Sequence, residues 1–151
     1  MPGLLITGAT LADGTRTDLL VRDGVFRDPA EASASDERLD ADGLLALPGF
    51  VDPHTHLREP GREDAETVAT GTLAAARGGF TAVHAMANLS PVTDTGERAS
   101  ALAAIAHRDA SAQVVVVGAI TRALAGEELA DIDGLHAAGV TMFSDDGRCV
   151  M

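Results

Sequence analysis

Phe50-Val51-Asp52-Pro53-His54-Thr55-His56-Leu57-Arg58 is the stretch on which the fold turns. An apolar run leads into two histidines at alternate positions. Side chains two apart on a strand point the same way, so His54 and His56 are expected to project together from one face. Two imidazoles so placed can bind one divalent metal ion, with Zn–N distances near ~2.1 Å. Asp52 shares their parity and is expected to orient one of the rings from behind. A lone His-x-His is often just a pair of solvated side chains, but α/β proteins gather their chemistry at the C-terminal ends of strands, which favours the metal reading here.

Working outward, the chain alternates. A strand lies within Leu44 to Leu57, and Glu63 to Arg77 reads as a helix with Val68, Thr72 and Ala76 on one face, ended by Gly78-Gly79. Phe80 to Met86 reads as a strand, and Asp94 to Asp109 as a helix opened by an Asp94/Glu97 cap pattern. The Val114 to Gly118 run predicts a parallel strand covered on both faces. Glu127 to Ala138, with Leu129, Ile132 and Leu135 at helical spacing, predicts a third helix, and Val140 to Phe143 a fourth strand. This β-α-β-α-β-α-β order implies a parallel sheet with right-handed crossovers. Periodicity leaves open whether the sheet is doubly wound or part of a barrel.

Upstream the pattern changes. Leu4 to Ile6 and Leu19 to Phe26 are short apolar runs, the second broken by the turn-forming Asp23-Gly24, and Asp28 to Asp36 reads as a surface loop. The expected division is a small β unit over 1–46 and an α/β unit over 47–151.

Composition narrows the function. The 151 residues carry 11 basic and 23 acidic side chains, a formal charge of −12, and every cation is arginine. An acidic chain without tryptophan or tyrosine lacks the basic patches and stacking platforms of nucleic-acid binding, and anionic membrane surfaces are disfavoured for the same reason. The single Cys149 excludes an internal disulfide. No apolar run approaches the ~20 residues of a membrane span, and the N-terminus lacks the features of a signal peptide, so a cytoplasmic protein is expected.

Other candidates lie at strand ends. Asp145-Asp146 follows the fourth strand, where adjacent carboxylates usually form only a cap or a solvated turn; the shared rim with the histidines lends weight to a reading in which one points at a metal and the other faces away. Asn88 follows the second strand, where it is placed either to bind a ligand or to close an Asx turn. Arg58 suits a bidentate carboxylate clamp, though a solvated loop arginine reads equally well. His107 and His136 are expected on helix surfaces, His84 inside a strand, and Cys149 as incidental.

The run Pro48 to Gly61, PGFVDPHTHLREPG, closely resembles the signature of the dihydroorotases, within the cyclic amidohydrolases. The resemblance continues through Gly78-Gly79-Phe80-Thr81, Asn88 to Asp94, Gly126 to Leu129 and Phe143 to Gly147. It implies the first four or so βα units of a metal-dependent TIM barrel, preceded by part of a small β-sandwich. It implies His54, His56 and Asp146 as ligands of one or two zinc ions, with Asp146 bridging where there are two. It also implies that His56, Arg58 and Asn88 contact substrate, whose carboxylate Arg58 and Asn88 hold. The implied reaction is the reversible cyclisation of N-carbamoyl-L-aspartate to L-dihydroorotate in pyrimidine synthesis. The implied partners are a second copy of the chain or aspartate transcarbamoylase.

Related hydantoinases, dihydropyrimidinases and allantoinases bridge their metals with a carboxylated lysine. This chain has no lysine and offers Asp145-Asp146 at that point, which favours the bacterial type I dihydroorotases. A catalytically silent, dihydroorotase-like scaffold of aspartate transcarbamoylase is the other alternative, disfavoured by the intact ligand set. One departure is Ala87, where the family usually has proline. A complete barrel typically needs ~250 residues, so the chain is expected to be an N-terminal portion, inactive alone, with the general base and two more zinc histidines on later strands.

Overall fold

A computed structural model describes residues 2–150. The chain divides into two compact units, one up to Pro48 and one from Gly49 onward, two residues beyond the boundary expected from the pattern.

The first unit is a sheet of five strands: β1 (Leu4–Leu11), β2 (Arg16–Arg22), β3 (Val25–Arg27), β4 (Glu37–Asp40) and β5 (Leu45–Ala46). Their order is β3-β2-β1-β4, with β5 also paired to β1. Asp23 and Gly24 turn between β2 and β3 with φ of 51° and 74°, the doubly left-handed geometry whose twist matches a hairpin. The segment 28–36 contains a short 3-10 turn over Pro29–Glu31 and ends at a buried side chain, Asp36. Its carboxylate accepts from the Gly3 amide (2.7 Å), the Ser33 amide (2.7 Å) and the Arg22 guanidinium (2.6 Å). The Arg22 charge and these amides hold the Asp36 carboxyl well below the usual carboxylate range.

The second unit is a four-stranded parallel sheet, β6 (Phe50–Thr55), β7 (Phe80–Ala85), β8 (Gln113–Gly118) and β9 (Met142–Phe143), in sequence order. Helices α1 (Val68–Arg77), α2 (Gly96–Asp109) and α3 (Ile132–Ala137) connect the strands. Because the strands are parallel and consecutive neighbours, their C-terminal ends share one rim, where the segments after Thr55, Ala85, Gly118 and Phe143 emerge. Two apolar clusters lie beneath: Leu57, Val68, Val83 and Leu102 in one, and Ala99, Leu124, Leu135 and Val140 in the other.

The helices are shorter than their periodicity predicts, and local hydrogen bonds explain why. Residues 63–67 do not join α1. Thr67 and Thr70 form a reciprocal capping box (3.1 and 3.2 Å), and the Glu59 carboxylate takes the Val68 amide at 2.8 Å. Ala76 is exposed, and Ala75 packs inward instead. For α2 the cap is Thr95, which accepts from the Arg98 amide. Asp94, the expected cap, is instead buried, pairs with Arg98 and accepts from the Ala123 amide at 2.9 Å.

The largest correction concerns 127–138. Leu129 is 69% exposed and forms an antiparallel bridge with Thr121, so only Ile132–Ala137 is helical, capped by Asp131. The strand expected over 140–143 contracts to Met142–Phe143. Val114 to Val116 are half-buried rather than covered on both faces. No helix among the described residues is long and apolar enough to cross a membrane.

Candidate metal centre

Strand β6 ends at Thr55, so His54 is its penultimate residue and His56 lies just beyond it. The two rings sit edge to face with centroids 5.1 Å apart. Across the rim, Asp146 Oδ1 lies 2.8 Å from His54 Nε2 and 3.8 Å from His56 Nε2. One ligand atom from each of the three residues falls within 4.8 Å of the others. Donors around a tetrahedral ion at ~2.1 Å stand about 3.4 Å apart, a spacing that the two observed separations bracket. Two imidazoles and a carboxylate suit a borderline-soft divalent ion, so these residues fit a metal. Among the described residues no other trio of His, Cys, Asp or Glu converges in this way.

The two adjacent aspartates divide their work. Asp145 is 2% exposed and accepts from the Ile120 amide (2.8 Å), the Thr121 amide (3.0 Å) and the Thr121 hydroxyl. Asp145 thereby ties the end of β9 to the loop after β8. Asp146 then turns the chain with φ of 57°, a left-handed conformation that costs a non-glycine residue energy and clusters at functional sites. Its amide donates to Ser144 Oγ at 3.0 Å. The turn aims one carboxylate into the protein and the other at the histidines.

Asn88 stands between these groups. Its Nδ2 donates to Asp146 Oδ2 at 2.7 Å, and its Oδ1 lies 3.0 Å from His56 Nδ1. The backbone on either side is fixed: Ala87 is fully buried, and its carbonyl accepts from the Leu89 and Thr93 amides. Hydrogen bonds therefore order this segment without the proline usual in the resembled family. Arg58, half-buried and also left-handed at φ of 60°, forms no ion pair among the described residues.

Asp52 does not orient a ring, as its parity suggested; its Oδ1 takes the His54 backbone amide at 3.0 Å, because the strand end leaves that amide free. His84, half-buried on β7, contacts the Asp52 carbonyl, whereas His107, His136 and Cys149 are exposed and apart from the cluster. Sequence reasoning missed the anchoring by Thr121 and Ser144 and the double contact of Asn88. The Ser144 contact is a local one, two residues from Asp146, which the Ser-x-Asp spacing could have signalled. No spacing rule links Thr121 to Asp145, or Asn88 to His56 and Asp146, across 24 to 58 positions.

Residues 43–151 match a family model described as dihydro-orotase-like. The dihydroorotase of Leifsonia xyli is 52% identical over 150 residues, covering 97% of this chain and 34% of that protein. The dihydroorotase of Streptomyces coelicolor is 47% identical over 155 residues, covering 99% and 36%. The chain thus spans about a third of the length of the curated relatives it matches. Among solved structures, the L-hydantoinase (dihydropyrimidinase) from Arthrobacter aurescens superposes with a TM-score of 0.77 at 25% identity, over 95% of this chain and 32% of that one. A D-hydantoinase superposes with a TM-score of 0.72 at 24% identity, over the same shares of the two chains, and speaks for the fold alone.

Proposed function

The chain belongs to the dihydro-orotase-like family, and from that premise we propose that it carries the first part of a zinc-dependent dihydroorotase. The reaction is the reversible closure of N-carbamoyl-L-aspartate to L-dihydroorotate. The observation that carries this reading is the convergence of His54, His56 and Asp146 from opposite edges of one parallel sheet. A zinc ion held by these three would supply Lewis acidity, polarising the ring amide and acidifying a water.

The chain's own residues also supply substrate contacts. The substrate is a dianion approaching a chain of charge −12, so local positive charge must offset the global field. Arg58, which forms no ion pair among the described residues, is available to clamp a carboxylate bidentately. Asn88 has one N–H left after its bond to Asp146 and can donate it to the same group, with His56 bordering the substrate. The general base has no counterpart among these residues, and we place it outside them, so 1–151 alone is expected to turn over no substrate.

The hydantoinase alternative has less support. Several dihydroorotases match at 41–52% identity over nearly the whole chain, and the chain has no lysine of the kind the resemblance implies for hydantoinases. We also propose a cytoplasmic location, residues 1–46 as part of a β-sandwich, and a second copy or aspartate transcarbamoylase as partner.

Metal analysis of the purified chain tests the site. About one zinc per chain is expected, lost in His54→Ala and Asp146→Ala. A folded chain that takes up no zinc overturns the assignment. Turnover of dihydroorotate by 1–151, abolished by His54→Ala, overturns the claim that it is inactive alone.

A further inference from the structure

The reading above gives Asn88 a substrate contact, yet both ends of its carboxamide already touch candidate metal ligands. A carboxylate offers only acceptors, so the end 2.7 Å from Asp146 Oδ2 must be the Nδ2 donor. That choice leaves Oδ1 against His56 Nδ1 at 3.0 Å, and a carbonyl oxygen can only accept. The proton of neutral His56 therefore sits on Nδ1. Its Nε2 lone pair is then free and faces Asp146 Oδ1 across 3.8 Å, the gap in which a metal would lie.

We infer that Asn88 is a positioning residue: it selects the metal-competent tautomer of His56 and, with the same amide, orients the Asp146 carboxylate. The inference rests on the metal reading and extends it to the group that prepares the ligands. It also fits the substrate role. After both bonds the amide keeps one N–H and one carbonyl lone pair, so a substrate carboxylate can bind without displacing either ligand. The anchored backbone around Ala87 holds the amide in place.

Two measurements on the chain test this. The first is the ring-nitrogen NMR of metal-free protein at pH ~8, above the ordinary histidine pKa of about 6.5. His56 is expected as the Nδ1–H tautomer, whereas a solvated imidazole prefers Nε2–H. In Asn88→Ala, His56 is expected to revert to Nε2–H while His54 stays unchanged.

The second is zinc affinity by competition with a chelator. Asn88→Ala is expected to weaken it ~10–100-fold, the usual effect of removing a group that orients a ligand. Asn88→Asp keeps an acceptor for His56 but sets a carboxylate against Asp146. It should retain the tautomer and still lose affinity, which separates the two bonds and guards against simple misfolding. An Nε2–H His56 in the parent chain, or unchanged tautomer and affinity in Asn88→Ala, refutes the inference. Absence of zinc uptake by a parent chain that shows Nδ1–H defeats the metal reading instead, and leaves the tautomer assignment standing.

Discussion

Asp145 makes the sharpest claim about how the rim is held. Its buried carboxylate receives three donors, two backbone amides at 2.8 and 3.0 Å and the Thr121 hydroxyl, which itself accepts from the Gly126 amide at 2.9 Å. A hydrogen bond to a charged group contributes ~1.5–3 kcal/mol, and an orphaned buried donor costs ~1–3 kcal/mol. The three bonds share one acceptor and do not add, and Ile120 is only half-buried, so water can reclaim part of the loss. Asp145→Ala is therefore expected to destabilise the second unit by about 3 kcal/mol. Asp145→Asn keeps an acceptor for both amides but forces the Thr121 hydroxyl to find another partner, at a cost of about 1 kcal/mol.

The chain has no tryptophan or tyrosine, so the assay is urea unfolding followed by far-UV circular dichroism. Amide hydrogen exchange at Ile120 and Thr121 reads the same contacts locally. Equal costs for the two variants, or an alanine variant within 1 kcal/mol of the parent with both amides still protected, would refute this account.

Three further outcomes follow from other contacts. A Cβ on Gly96 would lie 2.3 Å from the Gly134 carbonyl oxygen, so Gly96→Ala is expected to destabilise by ~1–3 kcal/mol in urea, despite alanine's ~1 kcal/mol helix advantage. Thr72 Oγ1, fully buried, donates to the Val68 carbonyl at 2.6 Å and accepts from the Ser111 amide at 2.9 Å. Thr72→Val should cost about 1 kcal/mol and speed exchange of the Ser111 amide, whereas Thr72→Ser should leave that amide protected. Because folding lowers the pKa of Asp36, its contribution is fully present above the ordinary carboxylate value of about 3.9 and is lost as pH falls further towards the folded value. The first unit should lose stability below about pH 4 in an acid titration, and Asp36→Asn should flatten that limb.

The alternation of strands and helices was legible because each element carries its own period. Asp23-Gly24 announced its hairpin, and the Val114–Val117 run its strand. Element ends were less legible, because they depend on which local hydrogen bond wins. Thr95 caps the helix, while Asp94 pairs with Arg98 four residues on and takes the Ala123 amide, a partner that no local pattern reveals. Leu129 followed helical spacing yet pairs with Thr121, since backbone pairing across a loop satisfied its segment better than another helical turn.

By itself, the sequence determined the residue types of the candidate site and their placement at strand ends: His54, His56, Arg58, Asn88 and the Asp145-Asp146 pair. The absence of lysine left carboxylates as the charged groups at the end of the fourth strand. Tertiary structure alone decided which aspartate faces the histidines, that Asp52 serves a backbone amide instead of a ring, and that Asn88 touches His56 and Asp146 at once. The reason is distance along the chain. A period of two or 3.6 residues records which face a side chain takes on its own element. Contacts between residues 32 or 58 positions apart exist only after the parallel strands have set their register.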